Sequence, residues 1–325
     1  MNPSTDPMQP PAPPSLGQAI FVAAVAGIAT ALMSGILTPG LAPAVFLSLI
    51  APAPLFIAGF GWHPLVAALG GLIAALAGSI YVSTPAALVI AGTFGLPAYA
   101  LTQAAEVRFG NYAGRPERDG IDLGRLVVSL VLYVAVAGTI AAMMIEPDFA
   151  ALQNRIRRSM QAAFNVMGVG TRPPGSGPSD PTALIDMLAN VMLPLSALVM
   201  TVTIIVGGTL GLAVAERSGR LPYARPDMRR FRLPGGALIL MGIAFLVATR
   251  DGYVGMLGEI VALGLCLAFM LQGLAVVHVR TLGIGGRGFI LAAMWAALVV
   301  FGLPAAIFIL IGMLDHLLDF RRGRL

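Results

Sequence analysis

The sequence predicts an all-α fold, a polytopic transmembrane helix bundle of about eight or nine spans with one interfacial amphipathic helix. Three observations carry this. Of 325 residues, 58% are hydrophobic and 11% charged, whereas a soluble domain carries roughly a quarter of its residues charged. The mean hydropathy is +0.88, and the apolar residues come in blocks of about 20, the length that crosses a hydrocarbon core of roughly 30 Å. The blocks do not alternate apolar with polar residues, which excludes barrel strands and leaves helices, whose backbone groups satisfy one another in lipid.

Residues 1–16, MNPSTDPMQPPAPPSL, are Pro-rich and lack any basic residue. They read as a disordered tail, and without a basic n-region the first apolar block is a retained span, not a cleaved signal. A single transmembrane domain follows over 17–320, and 321–325 form a basic tail. The candidate spans are 17–37, 41–60, 64–83, 86–105, 123–145, 183–215, 234–249, 256–278 and 288–314. Minimal turns such as Thr38-Pro39-Gly40 and Gly61-Trp62-His63-Pro64 join the first four into an antiparallel group. The second block carries Pro43, Pro52 and Pro54, each removing a backbone donor, so it is either broken against a polar cavity or kinked. Small residues recur every fourth position, as in Ala23, Gly27, Ala31 and Gly35, and let helix backbones approach closely.

The stretch 146–182 leaves the membrane. Glu146-Pro147-Asp148 reads as a helix start, with proline pre-set for the first turn and acid favoured at that end. Phe149, Leu152, Ile156, Met160 and Phe164 then share a face while Arg155, Arg157 and Arg158 largely occupy the rest, the pattern of a helix lying in the interface. The sequence TRPPGSGPSDP that follows is loop.

All 20 basic residues are arginine. They flank apolar spans, which makes them topogenic and excludes a nucleic-acid surface. With the N-terminus in the cytoplasm, the inside loops hold twelve of the arginines, and the densest group, in 217–232, gives the strongest vote for a cytoplasmic location. The arginines of the last segment vote against nine crossings, and the short block 234–249 is the one whose failure to cross would restore the balance. The sequence predicts a multi-pass protein of the inner (cytoplasmic) membrane.

Chemistry is scarce. No lysine exists to build a phosphate loop, and His63, His278 and His316 have no metal-ligand spacing. Gly283-x-Gly-Gly-x-Gly288 lies in a turn between spans, and Gly175-Ser176-Gly177 in the loop has no partner histidine at bilayer depth. No catalytic residue, metal site or cofactor is predicted, and the chain is not expected to be an enzyme. Acids cluster at span ends, so the buried carboxylate chain of an ion-coupled transporter is missing. Gln272 is the polar group set within a span, where it either bonds a neighbouring helix or lines a cavity. Ligand candidates are Gln272, His278 and Pro54. Asp315 and Asp319 share a face with Arg321 nearby, and form either a charged helix end or a docking surface for a partner or for the Arg-rich loop.

Two passages, LQGLAVVH at 271–278 and GMLDHLLDFRRG at 312–323, together with the N-terminal four-helix block, resemble the YybS-like family of uncharacterised bacterial membrane proteins. The pattern Pro54-x4-Gly59-x-Gly61-x2-Pro64-x5-Gly70-Gly71 is similar to early helices in the substrate-binding membrane subunits of energy-coupling-factor transporters. That resemblance implies that Ala23, Gly27 and Ala31 contact another membrane subunit. Two readings of function follow. One is a small-molecule-binding transporter subunit; the other is a non-transporting scaffold or envelope-assembly partner. Apart from the lipid bilayer, the partner in either case is another membrane protein.

Overall fold

A computed structural model describes residues 15–34, 47–81, 84–110, 123–166, 181–221, 225–302 and 304–322. Residues 1–14 of the predicted tail, Pro43, the turn at 38–40, the Gly175-Ser176-Gly177 loop and residues 323–325 of the basic tail lie outside that set. The described elements are helical. They are α1 Leu16–Met33, α2 Ala53–Gly61, α3 Pro64–Tyr81, α4 Thr84–Ile90, a π-helical stretch Ala91–Gly95, α5 Leu96–Gly110, α6 Leu123–Ile145, α7 Phe149–Val166, α8 Pro181–Arg217, a short 3-10 turn Met228–Arg230, α9 Ala237–Ala248, α10 Gly252–Arg280, α11 Arg287–Phe301 and α12 Pro304–Leu318. Six helical stretches among the described residues are long and apolar enough to cross a bilayer: 16–33, 64–81, 87–105, 123–145, 183–217 and 252–280. Three apolar helices, 237–248, 287–298 and 304–318, are shorter.

Two predicted blocks are interrupted. In the described part of the second block, Leu47 and Ser48 are helical, a turn follows over 49–52, and helix resumes at Ala53; Pro52 caps that helix and Pro54 sits in its first turn. Pro52 and Pro54 begin a helix where the missing N–H would be unpaired anyway, so of the two readings the described residues show a break before Ala53 and not a kink within a continuous helix. The block 288–314 is two helices, because Gly302 takes φ +63 after Phe301 and Pro304 opens α12. Glycine followed closely by proline is a helix stop that apolarity alone conceals.

Packing contacts group the chain into two units, residues 1–122 with 202–227, and residues 123–201 with 228–325. In the first, α1 lies on α3 through its small-residue row. Ala23 and Ala31 are buried, and a side chain on Gly27 would meet the Gly70 carbonyl at 2.4 Å. The opposite face of α1 exposes Ile20, Phe21, Val25, Ile28 and Leu32. Small residues turn inward and large apolar ones outward, the arrangement of a helix solvated by lipid. The end of α8 packs on α2 in the same way, Gly211 against Phe56 and Gly207 against Pro52.

The second unit is built around α10. Helix α6 runs antiparallel to it: Tyr253 Oη donates to the carbonyls of Ala142 (3.4 Å) and Glu146, and Gly264 accommodates Val131. Helix α7 starts where the acid-proline signal placed it, with Asp148 accepting the Ala150 N–H at 3.1 Å. Its Leu152 is buried, Phe149 packs edge-on against Tyr253, and Arg157 pairs with Asp186 at 2.9 Å. Helix α9 turns back onto α10, with Gly258 against the backbone of Ala248. Further along α10, Gly273 and Gly312 of α12 meet backbone to backbone. A side chain on Gly273 would approach the Phe308 carbonyl to 2.0 Å, and one on Gly312 the Phe269 carbonyl to 2.0 Å.

This contact yields a test. Gly273→Ala and Gly312→Ala should each destabilise by about 3 kcal/mol or more, because backbone cannot yield as a side chain can. Gly242→Ala, where a Cβ meets nothing within 4 Å, should be neutral or stabilising, since alanine is the better helix former. Thermal unfolding in detergent reads all three.

Candidate functional site

Helices α9 and α12 have 12 and 15 residues, about 18 and 22 Å at ~1.5 Å per residue, each short of a full crossing. They flank successive stretches of the 29-residue α10, and the start of one meets the end of the other beside Gln272. His316, in the last turn of α12, donates from Nε2 to the carbonyl of Gly235 just before α9, at 3.3 Å. Its ring packs edge-on against Phe269. Gly124 of α6 closes the same spot, since any side chain there would strike the Arg232 carbonyl at 1.7 Å.

A buried polar network fills the junction. Gln272 is 1% exposed. Its Oε1 accepts the Leu233 N–H at 3.0 Å, and its Nε2 donates to Asp315 Oδ2 at 2.8 Å. Arg321 grips the same carboxylate as a fork through one edge of its guanidinium, from Nη2 to Oδ2 at 2.8 Å and from Nε to Oδ1 at 3.4 Å. The third nitrogen, Nη1, donates to the Arg229 carbonyl at 2.8 Å. The side chains of Asp315 and Arg321 are both 0% exposed. Asp319 pairs with Arg232 nearer the surface.

Local sequence explains this placement. Phe231 and Leu233 are buried and pin the loop 228–234, presenting the Arg229 carbonyl and the Leu233 N–H. After α12 ends, Asp319 takes φ +49, a left-handed conformation that Asp tolerates better than most residues. The chain reverses there, and Arg321 returns to the carboxylate six residues before it. An acid in the last turn of a helix opposes the helix dipole, so Asp315 calls for a cation.

The structure thus joins Gln272, Asp315 and Arg321 and pairs Asp319 with Arg232 of the Arg-rich loop. It leaves His278 out, half-buried and donating from Nδ1 to the Leu274 carbonyl of its own helix at 2.8 Å. Pro54 belongs to α2 in the other unit. Ala23, Gly27 and Ala31 are buried against α3 inside that unit. The backbone of Arg229 and Leu233 and the ring of His316 were not legible as site components. Loop backbone carries no side-chain signal, but the short block 234–249 and the Gly302–Pro304 break were available pointers to the junction. Among the described residues no three His, Cys, Asp or Glu side chains gather as a metal site.

Each charge in a sealed pair is tolerable only with its partner, so the single and double changes should separate sharply. Arg321→Ala should cost about 3–5 kcal/mol by leaving a buried carboxylate uncompensated. Asp315→Asn combined with Arg321→Gln should cost much less than the two single losses added together, because no net charge stays buried. Melting curves in detergent over this cycle check it; additive losses would mean that the two side chains act independently.

The family model described as "Predicted membrane protein (DUF2232)" matches residues 20–316, a range that takes in both units and the junction as far as His316. No curated protein and no solved structure matches the chain.

Proposed function

We propose, from the premise that this chain belongs to the predicted membrane protein family DUF2232, that it is a non-catalytic, multi-pass protein of the cytoplasmic membrane whose α9–α12 junction binds a small molecule. In this reading it serves as a subunit beside a separate energising partner. One observation carries the proposal. Two half-length helices end against α10 and bring a carboxylate, an amide, a guanidinium and loop backbone together among apolar helices. In lipid such helix interruptions and ionisable groups are costly, and they recur where membrane proteins hold solutes. The likeness of 54–71 to energy-coupling-factor subunits lends less, because the Ala23, Gly27 and Ala31 row is already covered by α3.

The second reading, a scaffold, draws on a specific feature: Gln272, Asp315 and Arg321 satisfy one another and the loop backbone. Gln272→Leu separates the two. At a binding site, function and ligand retention fall by far more than stability, because a polar site rejects an apolar replacement. In a scaffold, function persists and the melting point drops by the equivalent of roughly 0.6–2 kcal/mol. Purification from native membranes, with mass spectrometry of retained small molecules and protein partners, supplies the ligand readout. A function retained in full by Gln272→Leu, with no retained small molecule, would sink the binding reading.

Orientation is part of the proposal. The Arg-rich loop 217–232 faces the cytoplasm by the positive-inside rule. A reporter fused near Arg225 should be active only if it is of the cytoplasm-active type; activity of an exported reporter there would reverse the topology.

A further inference from the structure

We propose that Arg321 is a tethered occupant of a site for guanidinium-bearing small molecules, and that a free guanidinium competes with it for Asp315. The inference rests on reading the α9–α12 junction as a ligand site, and adds the chemical class of the ligand and a built-in competitor.

The receptor half is fixed without the occupant's help. Gln272 holds Asp315 Oδ2 from one side at 2.8 Å, and is itself held by the Leu233 N–H at 3.0 Å. That leaves both carboxylate oxygens and the Arg229 carbonyl aligned toward one planar group, which Arg321 fills with three nitrogens. A forked contact to a carboxylate plus one carbonyl suits a guanidinium and gives a compact ammonium no second edge.

The occupant half is held differently. Arg321 reaches the site from a segment beyond α12 that reverses through Asp319 at φ +49, a conformation carrying strain in a non-glycine residue. Arg322 beside it is exposed. Arg321 therefore enters on a short strained turn, whereas Gln272 and Asp315 project from packed helices. Vacating a sealed carboxylate with nothing in exchange is prohibitive. Exchange of one guanidinium for another keeps the charge and the hydrogen bonds, so a ligand of the same chemistry offers a route by which Arg321 leaves. Binding would then free the 319–322 turn and its Arg232 contact, a readout on the Arg-rich loop side.

The test uses purified full-length protein and methylguanidinium as the probe, with tetramethylammonium, which has no N–H donor, as the ionic control. Arg321→Ala should melt lower than wild type and be restored saturably by methylguanidinium alone, while Arg321→Ala combined with Asp315→Asn should not respond. Wild type should bind the probe about tenfold or more weakly than Arg321→Ala, because there the probe must displace Arg321 from the same carboxylate. Should Arg321→Ala not fold, a spin label at Arg322→Cys in a Cys266→Ser background keeps Arg321 in place. Methylguanidinium should then raise label mobility saturably, and tetramethylammonium should not. Absence of any saturable methylguanidinium response overturns the proposal, as does an equal response after Asp315→Asn. If native membranes instead yield a neutral or anionic ligand lost on Gln272→Leu, the junction remains a binding site and only the guanidinium inference fails.

Discussion

A carboxylate removed from water must be met by a positive charge and by enough donors to replace its hydration, and the second unit is organised around one such demand. Asp315 sits 2% exposed in the last turn of α12, where the helix dipole already works against it. Arg321 supplies the charge, Gln272 a further donor, and the loop 228–234 the groups that keep both of these in place. The end of α12, the loop before α9, the middle of α10 and the first turn of α6 are thereby fixed to one point. Such a pair confers little net stability against an apolar replacement, because desolvation offsets the attraction. Its effect is on specificity of arrangement: other registers of α12 on α10 would leave a charge unpaired.

Glycine makes that geometry reachable. At Gly273 and Gly312 the α10 and α12 backbones come closer than any side chain allows, and the neighbouring positions Gln272 and Asp315 are thereby brought to hydrogen-bonding distance. The same device seats α1 on α3 and α8 on α2 in the first unit. Between helices in lipid no hydrophobic effect operates, so close packing and hydrogen bonds carry association. The second unit uses both at one crossing.

The junction departs from what a purely structural bundle requires. A continuous helix beside α10 would have satisfied its own backbone. The chain places two short helices there and brings a loop with Arg229, Arg230 and Arg232 against them. Interruptions of this kind must be compensated residue by residue, and the compensation consumes the Gln272 amide oxygen and one nitrogen of Arg321. That concentration of costly features is the physical ground of the proposed function, whereas the small-residue faces are spent on packing.

Composition and periodicity determined the class of solvent, the helical character, the amphipathic α7 and the start of that helix at Asp148, because hydrophobicity, helix phase and capping are local properties of the chain. They also singled out Gln272, Asp315, Asp319 and Arg321, since polar side chains in apolar surroundings stand out without a structure. Pairing of the acids with an arginine at the end of α12 was legible, but their joining with Gln272 into one network was beyond reach: Gln272 and Asp315 are 43 positions apart, and two further partners are the backbone of Arg229 and Leu233. Sequence pattern does not encode where a loop's carbonyl points. Likewise the row Ala23, Gly27 and Ala31 announced a packing face, but whether α3 or another protein covers it depends on which helix comes closest, and only the tertiary structure decided that it is α3.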